Sequence, residues 1–358
     1  MSPTATFEIS PGATETLSGT PYADRLITLP GVWPEDEYGG PGSLVSGVEA
    51  LFLEQQTAWP ELVERTAQLA TNEQREIQVG DARHILIRNP GRERNTADFS
   101  RRAVAKRPCF LDAANFPAEE RGIAAAGMFI AANPYPILDR HLTIIYPSHV
   151  DQSLASVIEP LYTIADELGT TDPEYFVYYN GAEAGASAPD HAHVQAGRLA
   201  TLPIEDDIQR LGAGEILYSD IDGLTVSIPE RLGRTVIVIE SRAAAQTIDI
   251  VQHIVGQLAV NGDTQEPPLN LIARYGANRF RTMLFPRSMF RPRTFFDPVN
   301  GARLSPASLE MAGLLVVPGQ DDFRRLSNNP AIVADAFHDV SPEPADITRL
   351  LRQRALAA

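Results

Sequence analysis

The stretch GASAPDHAHVQAG, residues 185–197, sets His191, His193 and Gln195 at alternate positions behind a glycine-rich loop. The chain has only seven histidines in 358 residues, so two of them one residue apart invite a chemical question. In a strand, side chains alternate between faces, so these three project together while Ala192, Val194 and Ala196 project the other way. The small apolar set suits a packed face, and the nitrogen-bearing set an open, reactive one. A neutral imidazole can attack phosphorus through one ring nitrogen while a hydrogen bond fixes the other. Gly181 and Gly185 let the backbone approach a phosphate closely, with N–H groups and the Ser187 hydroxyl as donors. A histidine in the third place could deliver a proton to a leaving group or to water. Gln195 cannot titrate, but its amide can hold a non-bridging oxygen, which suits group transfer between phosphates better than rapid hydrolysis.

The elements that must position this strand are legible from periodicity. GMFIAANP (127–134) and HLTIIYPS (141–148) read as strands on either side of a turn. Over residues 151–169, Leu154, Val157, Ile158, Leu161, Ile164 and Leu168 share one helical face, and Gly169 suits the helix end. EYFVYYN is a strand ending at Asn180, followed by the loop and HAHVQAGRL. The same order returns later. TVIVIES is a strand, and a helix follows with Ala244, Ile248, Val251, Val255 and Leu258 on one face. The strand PLNLIARY, a short loop and the strand FRTMLFP complete it. The spacing is 39 residues from His141 to Asn180 and 40 from Thr235 to Tyr275, which implies an internal duplication whose second copy lost the H-x-H.

Around this core, residues 1–43 read as an irregular arm. Residues 44–70 read as a helix kinked or broken at Pro60, and REIQV with ARHILIRN as a strand pair. SLEMAGLLVVP reads as one more strand, and 319–358 as helical with a breaker at SPEP. The expected organisation is an N-terminal arm, helix and strand pair over 1–104, a half carrying H-x-H-x-Q over 105–200, a second half over 201–317, and a helical segment over 318–358. The basic stretch 90–108 is either a solvated loop or a phosphate-facing segment.

Composition narrows the function. A net charge of −16 argues against a phosphate-tracking surface for nucleic acid, while leaving room for a local basic pocket. The single Cys109 rules out an internal disulfide and fits a reducing compartment. No apolar run is long enough to span a bilayer, and the N-terminus lacks a basic and apolar leader, so a cytoplasmic location is expected.

YNGAEAGASAPDHAHVQ resembles the active-site strand of the histidine-triad superfamily, in its transferase branch. That branch holds galactose-1-phosphate uridylyltransferase, diadenosine tetraphosphate phosphorylase and the GDP-hexose phosphorylases. Two upstream stretches support the resemblance. NPYPILDRHLTIIYPSH is similar to the branch's strand-turn-strand motif, and RPCFLDAANFPAEERG to its Cys–Phe–Leu–Cys–x–x–Asn stretch. The resemblance covers about residues 105–198 by motif and 235–317 by architecture. It implies an α+β fold of two histidine-triad-like halves, mainly antiparallel sheet with packed helices. It also implies that His193 carries a nucleoside monophosphate, that Asn180, Gly185, Ser187 and Gln195 hold the phosphate, and that Asn133 and the Leu111 region line the base and ribose pocket. SAPDH has one residue more than the branch's pattern, which puts the placing of Ser187 in doubt.

The chemistry requires no cofactor. Uridylyltransferases can nonetheless carry a structural zinc, and the corresponding positions here are Cys109, Asp112, His149 and His191. One thiolate, one carboxylate and two imidazoles could still make a tetrahedral site. The alternative is that Cys109 packs and His191 only orients its neighbour. The expected partners are a nucleotide substrate and a phosphate or sugar-phosphate acceptor. Hydrolysis of the same phosphoanhydride bonds and non-catalytic nucleotide binding are the competing functions. In the second half, RFRTMLFPR places Arg279 and Arg281 on one face with Arg287 beyond. They either pair with surface acids or, with Arg281 foremost, clamp a polyanion.

Overall fold

The structure, a computed structural model, describes residues 17–27, 42–92, 107–259 and 266–353. Most of the N-terminal arm and most of the basic stretch 90–108 lie outside these residues. Helix α1 (Leu44–Ala58) starts where the Ser43 hydroxyl accepts the Ser46 N–H at 3.0 Å. Trp59 interrupts it, and Pro60 opens α2 (Pro60–Leu69), a position where its missing N–H costs nothing. The expected helix over 44–70 is therefore two helices. β1 (Glu73–Val79) and β2 (Ala82–Arg88) form the expected hairpin.

The first half follows as β3 (Gly122–Ala125), β4 (Met128–Ala132), β5 (Asp139–Ile145), α3 (Leu154–Thr171), β6 (Tyr175–Asn180) and β7 (His193–Arg198). After α4 (Pro203–Leu211), the second half runs β8 (Glu215–Ser219), β9 (Thr225–Ile228), β10 (Ile237–Ser241), α5 (Ala244–Leu258), β11 (Leu269–Gly276) and β12 (Arg279–Pro286). Within the sheet the first half is ordered β3-β4-β5-β7-β6, and the second, from its own edge, β8-β9-β10-β12-β11. The two orders correspond strand for strand. β6 and β11 pair antiparallel with Asn180 opposite Asn270, fusing the halves into one antiparallel sheet of ten strands. The duplication read from element order is thus a duplication of topology.

One face of the sheet packs on α3, α5 and α1. Every residue predicted for the apolar face of α3 is buried there, together with Ala192, Val194 and Ala196. In α5 the buried stripe is displaced from the predicted one. Thr247, Ile250, Val251, Ile254 and Gln257 are buried, while Ala244, Ile248, Val255 and Leu258 are only partly so. The helix is apolar over a wide arc, and its packing partners select which part is innermost. The segment predicted as one strand at 308–318 divides into a helical turn, α6 (Ser308–Met311), and β13 (Leu314–Val317), which pairs parallel to β2. This three-stranded sheet, with α4, α7 (Gln320–Asn328) and α8 (Ala331–Val340), covers the second face of the large sheet, and α9 (Pro344–Gln353) packs against α5. Among the described residues, no helix is long and apolar enough to cross a membrane.

Candidate active site

β7 lies between β5 and β6, with Thr143 and Tyr178 directly opposite Gln195. His193 begins the strand and is only 3% exposed. Its Nδ1 lies 2.8 Å from the His191 carbonyl, so Nδ1 carries the proton and Nε2 the lone pair. Burial pushes the ring down to about 4, which keeps it neutral and nucleophilic at neutral pH. Gln152, just before α3, fixes the strand entry. Its Oε1 accepts the His193 N–H at 2.8 Å, and its Nε2 donates to the carbonyls of His193 at 3.0 Å and Asn180 at 2.8 Å.

Two amides flank this nucleophile, and both have their oxygens taken. Gln195 Oε1 receives Tyr178 Oη at 3.0 Å and Asn133 Nδ2 at 3.4 Å, and it shares the His141 Nε2–H, at 3.1 Å, with Tyr178 Oη, which lies nearer at 2.6 Å. His141 is held in the required tautomer, because its Nδ1 accepts the Ile137 N–H at 3.1 Å and leaves the proton on Nε2. Burial, aided by the Arg92 guanidinium, pushes His141 down to about 3, so the ring remains neutral. Asn180 Oδ1 receives Asn270 Nδ2 at 2.9 Å, the Ser308 N–H at 2.9 Å and the Ser308 hydroxyl at 2.7 Å. With both oxygens satisfied, the NH2 groups of Gln195 and Asn180 are left as donors, and both residues line the cavity that His193 faces. That is a preorganised pair of donors for non-bridging phosphate oxygens.

The cavity has a volume of about 550 Å³, and its lining includes His193, Gln195, Asn180, Gly185, Ser187, Leu111 and Asn133. Gly185 sits at φ +98°, and a Cβ there would lie 2.8 Å from the Ala307 side chain, so the loop needs glycine at this point. Asn133 lines the cavity with its amide engaged inside the protein. Its Nδ2 is engaged by Thr143 Oγ1 at 3.0 Å and by Gln195, and its Oδ1 by the Tyr135 N–H at 2.9 Å, so its amide supports the site from behind.

Of the two readings open for Arg281, the structure favours pairing with an acid over clamping a polyanion. Arg281 lies opposite Glu240 in the β10–β12 register, and its Nη2 is 2.7 Å from the Glu240 carboxylate, which also binds Arg279. The face was predicted correctly, but a cross-strand acid takes the charge and holds it outside the cavity lining. Arg287 is buried, donating to Asn270 Oδ1 at 2.6 Å and to the carbonyls of Pro306, Met289 and Phe290. It shapes the wall. The cationic lining comes instead from Arg65, Arg92, Arg107, Arg291 and Arg303. Arg92 donates to the Tyr135 carbonyl at 3.0 Å, Arg65 stacks on the Tyr135 ring at 4.0 Å, and Arg107 donates to the Ser187 carbonyl at 3.1 Å. Arg92 and Arg107 are the described ends of the basic stretch, whose residues 93–106 lie outside the described ones.

His191 turns away from this cavity into a second cluster. Its Nε2–H donates to the Tyr146 carbonyl at 2.9 Å, leaving the Nδ1 lone pair 3.5 Å from Cys109 Sγ and 3.2 Å from Asp112 Oδ1. His149 Nδ1 lies 2.9 Å from the same carboxylate oxygen, and the donor atoms of all four residues fall within 4.8 Å of one another. Tetrahedral zinc with these ligand types separates its donor atoms by about 3.4 Å, so the set fits the ion with small adjustments. Burial pushes the Cys109 thiol up to about 11, so a bound metal would have to displace its proton.

Residues 51–198 match a family described as "Domain of unknown function (DUF4922)". No curated protein matches the sequence. Among solved structures, the crystal structure of yeast Ap4A phosphorylase Apa2 has a TM-score of 0.54 at 15% identity, covering 79% of this chain and 96% of that one. Apa2 in complex with AMP gives 0.53 at 14% identity, covering 80% and 96%. Its complex with Ap4A gives 0.52 at 13%, covering 79% and 97%. This chain shares its fold with yeast Ap4A phosphorylase. The fold class is that expected from the resemblance to the histidine-triad transferase branch.

Proposed function

We propose that this protein is a nucleotidyltransferase or phosphorylase that works through a histidine–nucleoside monophosphate. His193 Nε2 attacks the α-phosphorus of a nucleotide sugar or dinucleoside polyphosphate. The N–P bond forms as the phosphoanhydride bond breaks, and a sugar phosphate or nucleotide leaves as an anion that needs no proton. The ring retains its Nδ1 proton on the His191 carbonyl, which stabilises the positive charge it gains. An oxygen of the acceptor phosphate then attacks the same phosphorus, the N–P bond breaks, and Nε2 recovers its lone pair. The NH2 groups of Gln195 and Asn180 hold the non-bridging oxygens through both steps.

The observation that carries this reading is the orientation of His193, with its Nδ1 proton fixed and its Nε2 turned to a cavity lined by two anchored amides and five arginines. A relative of the same fold, Apa2, is an Ap4A phosphorylase known in complexes with AMP and with Ap4A. The non-titrating Gln195 favours transfer to phosphate over transfer to water. Cys109, Asp112, His149 and His191 would hold a structural zinc, tying the 109–112 segment to the start of the nucleophile strand. Zinc would supply cross-linking there, and the reaction steps depend on the chain's own residues.

The test is a panel of nucleotide sugars and dinucleoside polyphosphates, each incubated with and without inorganic phosphate. Phosphate-dependent formation of a nucleoside diphosphate is expected for phosphorolysis, and exchange with an added sugar phosphate for transfer. Nucleoside monophosphate release at equal rates without any acceptor would make the protein a hydrolase instead.

A further inference from the structure

At the Leu111 end of the cavity lies an acid that the transfer mechanism does not use. Glu120 lines the cavity and is 7% exposed, yet its carboxylate makes no hydrogen bond among the described residues. A carboxylate on a cavity wall without a protein partner is a group that the donors of a ligand can satisfy. Trp59, Leu111, Pro117 and Ile145 supply apolar lining to the same cavity. The Tyr22 hydroxyl donates to the Leu111 carbonyl at 2.8 Å and feels the charge of Glu120, which places the acid on the Leu111 side. Arg25 offsets that charge from outside, where its Nη1 donates to the carbonyls of Pro117 and Ala118. The indole N–H of Trp59 likewise makes no hydrogen bond among the described residues.

We propose that Glu120 reads the base of the nucleotide and that the base is guanine, an inference that rests on the nucleotide-transfer reading of the site. An ionised carboxylate on the wall of a nucleotide cavity selects the base edge that offers two adjacent donors. Guanine alone does so, through N1–H and N2–H, which match the two carboxylate oxygens; its O6 is then free to accept the Trp59 indole N–H. Adenine and cytosine place a ring-nitrogen lone pair beside their amino group. Uracil flanks its single N–H with two carbonyls. Each of these three would set an acceptor against the carboxylate, leaving buried lone pairs facing one another. Burial pushes Glu120 up to about 8, and the two donors of guanine stabilise its ionised form, so guanine binding expels the acid's proton and the preference is read above about pH 8.

The experiment is equilibrium binding of GMP, IMP, AMP, CMP and UMP to the full chain and to Glu120→Gln, with thermal melting to confirm that the variant folds. Wild-type protein should bind GMP roughly 10- to 100-fold more tightly than AMP, CMP or UMP, the yield of one to two charge-assisted hydrogen bonds. IMP, which keeps N1–H and lacks the N2 amine, should bind about 10-fold more weakly than GMP. In Glu120→Gln the preference for GMP over AMP should fall to within about threefold. Tightest wild-type binding of another base, or IMP equal to GMP, would overturn the assignment even if the variant failed to fold. So would a Glu120→Gln loss shared equally by all five nucleotides, which would mean a contact to the ribose. If none of the nucleotides binds the wild type, the nucleotide-transfer reading itself falls, and this inference with it.

Discussion

Replacing Tyr178 with Phe removes one atom from the active site and tests whether Gln195 works as an aimed donor. In the structure the Gln195 oxygen is held by Tyr178 Oη at 3.0 Å, His141 Nε2 at 3.1 Å and Asn133 Nδ2 at 3.4 Å. The last is the longest, so the hydroxyl supplies one of the two better bonds. The hydroxyl also accepts the His141 Nε2–H at 2.6 Å, so its loss should lower stability by about 1–2 kcal/mol, the net value of two neutral hydrogen bonds. The orientation that presents NH2 to the phosphate loses a similar amount of preference over the flipped amide, so kcat/KM should fall about 5- to 10-fold. Gln195→Ala removes the donor altogether and should cost about 100- to 1,000-fold, as loss of an oxyanion donor does. The decisive assay is the double-mutant cycle, with turnover followed by nucleoside diphosphate release. Tyr178→Phe should cost almost nothing once Gln195 is Ala, because there is no amide left to aim. If the two losses multiply, Tyr178 acts directly on the ligand and the account of an anchored amide is wrong.

Three further outcomes follow from individual contacts. Arg281→Ala should leave acceptor KM unchanged and shift stability by less than about 1 kcal/mol, since its partner is Glu240 on a half-exposed surface; a raised acceptor KM at normal stability would return it to the site. Elemental analysis of tag-free protein should find one zinc per chain that is lost in Cys109→Ser and in His149→Ala; zinc-free protein with full activity and unchanged melting would discard the cluster as a metal site. Glu120 binds its proton more tightly in the folded chain, since burial raises it from 4.5 to about 8, so its contribution to stability drains away as pH rises through that window. Relative to wild type, Glu120→Gln should therefore gain up to about 4 kcal/mol between pH 5 and pH 8 in chemical unfolding, and a pH-independent difference would contradict the burial of that carboxylate.

How much of this was legible depended on whether the signal was local. The alternation of Ala192, Val194 and Ala196 against His193 and Gln195 survives folding, because a strand buried on one side leaves no freedom in register, but His191, expected on the same face, precedes the strand and turns to Cys109 and Asp112 instead. The apolar face of α3 was equally plain. Strands β8 and β9 passed unread because they are short, lie at the sheet edge and, in β8, bury little. His141 and Tyr178 were within reach. Tyr178 and Asn180 alternate on β6 as His193 and Gln195 do on β7, and the same rule puts Tyr178 on the reactive face. Gln152 left no such trace, since its role depends on two backbone segments meeting in space. Arg281 shows the limit from the other direction. Its face was correct, but only the β10–β12 register shows that Glu240 stands opposite it. The arginines that do line the cavity come from loops and helices far apart in sequence, where periodicity carries no information.

The central claim is a covalent bond between His193 Nε2 and a nucleoside monophosphate. It is tested most directly by intact-mass spectrometry of the protein incubated with a cleaved substrate in acceptor-free buffer and kept from acid. The account predicts a mass increase of one nucleoside monophosphate, mapped by peptide sequencing to His193, discharged by added phosphate and absent in His193→Ala, with turnover lost by several orders of magnitude. An unmodified wild-type protein that turns over normally, or a His193→Ala variant of near-wild-type activity, would contradict it.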